Sequence, residues 1–202
     1  MRVVFVDGPP GVGKTTVLEE LRKHHRALTF SEPTDRWAPA LQDVERFAGE
    51  TSDPMRRQYE FAVVQLQTMV LDWYQILQDV LSVADRNDGE LVAVERSPQS
   101  ARVFHALACS ASHRSAECKE RLAAIADQLP RIPATVTVDL RIDPDLAAER
   151  VGKRKAAGDT GWTADAIRAY YDTYDELVSA TPVPVLPTDT PRAVATKIMD
   201  LL

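Results

Sequence analysis

The chain has 202 residues, enough for one substantial core and short of what two full domains need. Apolar residues make up 45% and charged residues 27%, a globular rather than a disordered composition. The formal net charge of −6 argues against a general nucleic-acid or anionic-membrane surface, though not against a local basic pocket.

Strand and helix signals then alternate along the chain. Residues 2–7 form an apolar run, as expected of a strand buried on both faces of a parallel sheet. A helix should start near Lys14 and reach about His25. Ala27–Phe30 reads as a short second strand, and 38–48 reads as helical. From about Pro54 to Ala84 apolar residues recur at helical spacing without a glycine. Leu91–Val94 is a third strand, entered from Asn87-Asp88-Gly89. Helices are expected at 98–110 and 114–128, followed by an alternating strand over Thr135–Leu140. Asp143-Pro144 opens another helix, interrupted by the polar stretch 152–161. Thr163 can cap the helix that follows. Val183–Leu186 is a fifth strand candidate, and Thr190-Pro191 starts the last helix. The pattern predicts one α/β domain over 1–202, built on a five-stranded parallel sheet with flanking helices. The first apolar run is too short for a signal peptide or a membrane span. Cys109 and Cys118 fit no metal or disulfide framework, so free thiols and a cytoplasmic setting are expected.

The stretch DGPPGVGKTT follows the first strand at residues 7–16. Its spacing, Gly8-x-x-x-x-Gly13-Lys14-Thr15, is that of a P-loop phosphate cradle. Glycines let backbone N–H groups converge on an anion, and the helix start adds unpaired donors and a positive dipole end. Residues Gly8, Pro9, Pro10, Gly11, Val12 and Gly13, with Lys14, Thr15 and Thr16, are the expected ATP-binding segment. Lys14 reaches the terminal phosphates, and the Thr15 hydroxyl holds Mg²⁺. No guanine-reading N-K-x-D segment and no D-x-x-G segment accompanies the loop, which argues against a GTPase switch.

Two further segments sit at strand ends, where open parallel sheets place their crevice. In SEPTDRW, residues 31–37, Glu32 stands where an acceptor hydroxyl would lie and Trp37 can wall its pocket. In ERSPQSAR, residues 95–102, Glu95 can take Mg²⁺ directly or through water. Arg96 can balance charge on a transferred phosphoryl group.

DGPPGVGKTT, EPTDRW and ERSPQSAR occur in the order and strand contexts of the deoxynucleoside kinases, a family that includes the herpesvirus thymidine kinases. The chain resembles that family over roughly residues 2–175. The resemblance implies Mg-ATP-dependent 5′-phosphorylation of a deoxynucleoside. Glu32 would then be the general base toward the sugar 5′-hydroxyl. Arg96 would contact the 5′-oxygen and the moving phosphoryl, Glu95 and Thr15 would hold Mg²⁺, and Trp37 would line the nucleoside pocket.

Residues 149–159, ERVGKRKAAGD, concentrate four cations in an acidic chain. They read as a lid, about 150–161, that closes Arg150 and Arg154 over the triphosphate. By resemblance Arg154 matches a phosphate-binding arginine, and Asp159 the acid that accepts from the sugar 3′-hydroxyl. Ala156 departs from a second arginine in relatives. Lys153 and Lys155 are candidates to replace it, without the planar fork of arginine.

The base pocket departs further. A match through Phe61 and Thr68-Met69 puts Ala62 where relatives carry the base-reading glutamine. Gln65, one helical turn on, can face the same way; Gln67 points elsewhere. His105 takes the position of a stacking phenylalanine. Ala101 stands where purine- and cytidine-preferring relatives can carry aspartate, which favours thymidine or broad pyrimidine use. Tyr59 is a candidate sugar contact, whereas Tyr170, Tyr171 and Tyr174 read as packing. The expected partner is a small-molecule nucleoside, with no nucleic acid and no membrane, and the resemblance allows a homodimer. The rival readings are a nucleoside monophosphate kinase such as a thymidylate kinase, a kinase with a non-nucleoside acceptor, and an ATP-binding regulatory protein.

Overall fold

The computed structural model describes residues 2–32, 75–83, 91–109, 120, 124, 135–154 and 162–202. The expected helices at 38–48 and 114–128, and most of 54–84, lie outside the described residues. Five strands form one parallel sheet: β1 (Arg2–Asp7), β2 (Leu28–Phe30), β3 (Leu91–Glu95), β4 (Thr135–Arg141) and β5 (Thr181–Pro184), in the order β2-β3-β1-β4-β5. The helices are α1 (Lys14–His25), α2 (75–83), α3 (Pro98–Cys109), α4 (Pro144–Arg154), α5 (Ala164–Leu177) and α6 (Pro191–Met199). The chain divides into two compact units. One comprises Met1–Glu32, Asp79–Ser97 and Arg131–Leu202, and contains the whole sheet. The other comprises Pro33–Gln78 and Pro98–Pro130, and its described parts are the start of α2, α3, and residues 120 and 124.

The central strands explain the sheet. Every residue of β3, and all of β1 beyond Arg2, is buried. A strand covered on both faces cannot alternate polar and apolar side chains, and valine packs well on a pleated surface. Val3, Val4 and Val6 are fully buried, each worth about 1.5–3 kcal/mol relative to exposure. Val4 and Val6 join one apolar cluster with Leu18 and Leu21 of α1 and Val194 and Ile198 of α6.

Helix starts follow their capping chemistry. Thr163 Oγ1 accepts from Ala166 N at 3.2 Å, and Thr190 Oγ1 accepts from Ala193 N at 3.2 Å, with Pro191 in the first turn. Asp143 Oδ1 accepts from the N–H groups of Asp145 and Leu146 at the head of α4.

Two expected boundaries are corrected. The polar stretch from Gly152 was expected to end the helix, but α4 continues through Gly152 to Arg154. Val151 is buried there, and a single glycine costs only about 1 kcal/mol in a helix otherwise held by packing. The fifth strand begins at Thr181, two residues before the expected Val183. Val185 N donates to Arg141 O at 2.6 Å, so the odd-numbered N–H groups face β4. Pro182 and Pro184 therefore occupy positions whose N–H would point away from the sheet, and an edge strand loses no ladder bond to them. Leu186, 54% exposed, has already turned away and donates its N–H to Asp189 Oδ2 at 2.8 Å.

Candidate active site

The strand order places the ends of β2, β3 and β1 side by side. Register sets Val6 opposite Glu95 on one side of β1 and Asp7 opposite Asp139 on the other. The glycine loop leaves the end of β1 and returns into α1, whose first residue is Lys14. Helix α1 begins at Gly13 with no side-chain cap and no acid in its first turn, so its leading N–H groups are left to an anion.

Two glycines of this loop serve for different reasons. Gly11 has φ +82°, and a Cβ there would stand 2.5 Å from Ala147 O and 2.9 Å from Val151 Cγ2. The loop is thus pressed against α4. Gly13 has φ +97°, but a Cβ would meet nothing within 4 Å. Gly11→Ala should cost at least about 2 kcal/mol, from strain and collision together. Gly13→Ala should cost about 1 kcal/mol, from backbone strain alone. Urea unfolding of the two variants would show the difference, and equal losses would exclude the collision.

Lys14 is 6% exposed, and its Nζ donates to Pro9 O at 3.1 Å. Burial first, and then the Arg96 guanidinium, push its pKa down to about 7, against the pull of Glu32, Glu95 and Asp7. A cation held in this way is poised for an anion of higher charge. Thr15 Oγ1 donates to Glu95 Oε1 at 3.0 Å, which brings together two oxygen ligands of the kind Mg²⁺ takes. Among the described residues there is no cluster of three or more His, Cys, Asp or Glu side chains able to hold a metal. This donor set fits a cation that is completed by phosphate and water rather than caged by protein.

Arg96 adopts φ 69°, in the left-handed region. Its N–H donates to Val6 O at 3.0 Å, and Nη1 donates to Gly8 O at 2.9 Å. Its Nε lies 2.8 Å from Glu32 Oε1, with the two side chains 5% and 14% exposed. Burial opposes the charge on Arg96, but Glu32, Tyr170 and Glu95 together outweigh it and leave the guanidinium more firmly protonated than usual.

The structure therefore brings together the glycine loop, Lys14, Thr15, Glu32, Glu95 and Arg96. Arg150 and Arg154 lie on α4, on or beside the helical face that presents Ala147 and Val151 to Gly11. Lys153, a candidate substitute for the missing arginine, pairs with Glu149 on the exposed side of α4. Ala101 and His105 are placed in α3 by backbone only. Trp37, Tyr59, Gln65, Gln67, Ala156 and Asp159 lie outside the described residues.

A buried polar group behind the loop escaped the sequence reading. Asp7, fully buried, accepts from Ser97 N at 2.5 Å, from Ser97 Oγ at 2.6 Å and from Tyr174 Oη at 2.6 Å. Tyr170, Tyr171 and Tyr174 do pack, and Tyr170 and Tyr174 stack at 5.7 Å. They also carry polar duties. Tyr171 Oη bridges the backbone N–H and C=O of Ile142, both at 3.1 Å. The one available signal was a lone acid closing an otherwise apolar strand.

Asp139, beside Asp7 in the sheet, pairs with Arg141 Nε at 2.6 Å. Burial pushes its carboxyl up from 3.8 to about 6, helped by Asp7 and Asp175 and opposed by Arg141. An acid with a raised folded-state pKa favours folding most at low pH. That advantage fades as pH rises from about 4 through about 6. Asp139→Asn should therefore gain stability relative to wild type between pH 5 and pH 7.5. Urea unfolding at the two pH values would show it, and a constant difference would contradict it.

A parallel sheet whose first strand feeds a phosphate loop, with acid and arginine on the neighbouring strand ends, defines a P-loop kinase fold. The family model for deoxynucleoside kinase matches residues 4–198, and the chain belongs to that family. It is 28% identical over 198 residues to a thymidine kinase of Gallid herpesvirus 2, covering 87% of this chain and 54% of that protein. The chain thus spans about half the length of that relative. It is 31% identical over 212 residues to a probable thymidylate kinase of Halobacterium salinarum, covering 95% of this chain and 90% of that one. Its fold matches a deoxyadenosine kinase from M. mycoides, solved with the products dCMP and a flexible dCDP, with TM-score 0.68. That match is 14% identical and covers 98% of this chain and 97% of that one.

Proposed function

We propose that the protein transfers the γ-phosphoryl group of ATP, with Mg²⁺, to the 5′-hydroxyl of a deoxynucleoside, thymidine or a broader pyrimidine range. The observation that carries this reading is the Arg96–Glu32 pair held beside Lys14 at the mouth of a phosphate loop. Phosphoryl transfer asks for alignment, neutralised charge and a proton acceptor, and this arrangement supplies each. Glu32 takes the proton of the acceptor hydroxyl, while Arg96 and Lys14 meet the charge of the moving phosphoryl. Thr15 and Glu95 are the residues that would hold Mg²⁺, which when bound neutralises and orients the phosphates. Arg150 and Arg154 approach the triphosphate from α4. Trp37, Tyr59, Gln65, Ala101, His105 and Asp159 belong to the nucleoside pocket in this reading, with Gln65 preferred to Gln67 for the base. The acceptor is a free small molecule, and a homodimer is compatible with the reading.

A second reading is favoured by the Halobacterium relative: the acceptor would be a nucleoside monophosphate. Transfer from γ-labelled ATP to thymidine, deoxycytidine, deoxyadenosine, deoxyguanosine and thymidine monophosphate separates the two. Label on a nucleoside supports the first reading, and the ranking names the base. Label on the monophosphate alone establishes the second. No label on any acceptor, with ATP still bound, removes both.

A further inference from the structure

Three consecutive residues at the end of β1 hold the turn that carries Arg96. Val6 O accepts from Arg96 N at 3.0 Å, and Gly8 O accepts from Arg96 Nη1 at 2.9 Å. Between them, the Asp7 carboxylate accepts from Ser97 N at 2.5 Å and from Ser97 Oγ at 2.6 Å. The two outer contacts are accepted by backbone carbonyls. Only in the middle one is the acceptor a side chain. That side chain is in turn fixed by α5, because Tyr174 Oη donates to Asp7 Oδ2 at 2.6 Å. Tyr174 is 1% exposed and stacked on Tyr170, so its hydroxyl has little freedom to leave.

The turn needs such a clamp. Arg96 has φ 69°, a left-handed conformation that few non-glycine residues adopt and that costs about 1–3 kcal/mol. Relaxing the turn would swing the guanidinium away from Gly8 O and from Glu32. A buried carboxylate must have its oxygens satisfied, and here Ser97 and Tyr174 supply donors to Asp7.

We propose that Asp7, oriented by Tyr174, is a positioning residue for phosphoryl transfer: it pins Ser97 and so aims the Arg96 guanidinium at Glu32 and the reacting phosphoryl group. The proposal rests on the roles given above to Arg96 and Glu32. It adds that helix α5, which directly follows the proposed lid segment in sequence, helps to set the catalytic arginine.

The test uses the full chain as Asp7→Asn, Tyr174→Phe and Arg96→Ala, with the Arg96→Ala double variants, γ-labelled ATP and the best acceptor. Asp7→Asn should lower kcat about tenfold, the scale of a small misplacement of a reacting group, with KM for ATP within about twofold of wild type. Tyr174→Phe should act in the same direction and less. In the Arg96→Ala background, either change should cost less than about twofold more, because the group it acts through is gone. Where Asp7→Asn does not fold, Tyr174→Phe, which removes one hydroxyl, carries the same cycle. Unchanged kcat in the single variants, or the same loss in both backgrounds, would overturn the proposal. Wild-type kcat in Arg96→Ala would instead remove the assignment of Arg96 on which it rests. The Arg96 Nε–H resonance gives a reading without turnover. It should shift in Asp7→Asn and Tyr174→Phe, and an unmoved resonance would show that the turn does not depend on the clamp.

Discussion

Glu32→Gln is expected to lower kcat by at least about 10²-fold, the scale of losing a general base. The structure makes this a discriminating substitution. Glu32 sits two residues beyond β2, with its carboxylate 2.8 Å from Arg96 Nε and a side chain 14% exposed. Glutamine keeps the shape and one carbonyl oxygen toward Arg96, so the arginine stays in place. What is lost is the capacity to take a proton from the acceptor. In the proposed reading ATP binds against the loop rather than on Glu32, so ATP affinity, read by calorimetry, should stay within about threefold of wild type. Activity near wild type would exclude Glu32 as the base. Loss of ATP binding together with activity would make it a structural partner of Arg96 instead.

Lys14→Ala should be at least as damaging to turnover, for a different reason. Removing one preorganised positive group from a developing phosphoryl charge costs about 10²–10³-fold in kcat. Lys14 is a buried cation held by a carbonyl of its own loop. Burial disfavours its charge in the free protein. The alanine variant should therefore melt no lower than wild type while losing activity and affinity for ATP. Such a separation of stability from function is common at sites built to bind charge. A melting temperature clearly below wild type would mean that the lysine supports the loop rather than waiting for phosphate. A kcat within a few-fold of wild type would remove it from the transfer step.

The two variants probe different parts of one arrangement. Glu32 and Arg96 meet across the ends of β2 and β3, while Lys14 belongs to the loop after β1. The sheet order makes them neighbours, since β3 lies between β2 and β1. No local feature of EPTDRW or ERSPQSAR specifies that adjacency. It follows from parallel pairing, which aligns strand ends that are distant in the chain.

Where local chemistry is strong, the sequence was enough. Glycine, lysine and threonine spacing specified the loop, because few backbones other than a phosphate cradle use that combination. Valine-rich runs located β1 and β3, because a strand covered on both faces has no polar side to confuse the pattern. Thr163 and Thr190 announced helix starts, because a side-chain cap is a contact between near neighbours. Family membership was likewise legible, since the three motifs lie at strand ends in a fixed order.

Tertiary structure decided the rest. The fifth strand was expected from Val183, and the sheet extends it back through Pro182 to Thr181 because the proline nitrogens face away from the ladder. Gly152 read as a stop until packing around Val151 carried the helix past it. Arg96 in a left-handed turn just after β3, Asp7 beneath it in β1 and Tyr174 behind both in α5 come from separate parts of the chain, and 167 positions separate Asp7 from Tyr174. Sequence patterns report a residue's preference for its near neighbours. The conformation of Arg96 is imposed instead by hydrogen bonds from chain segments that only folding brings together.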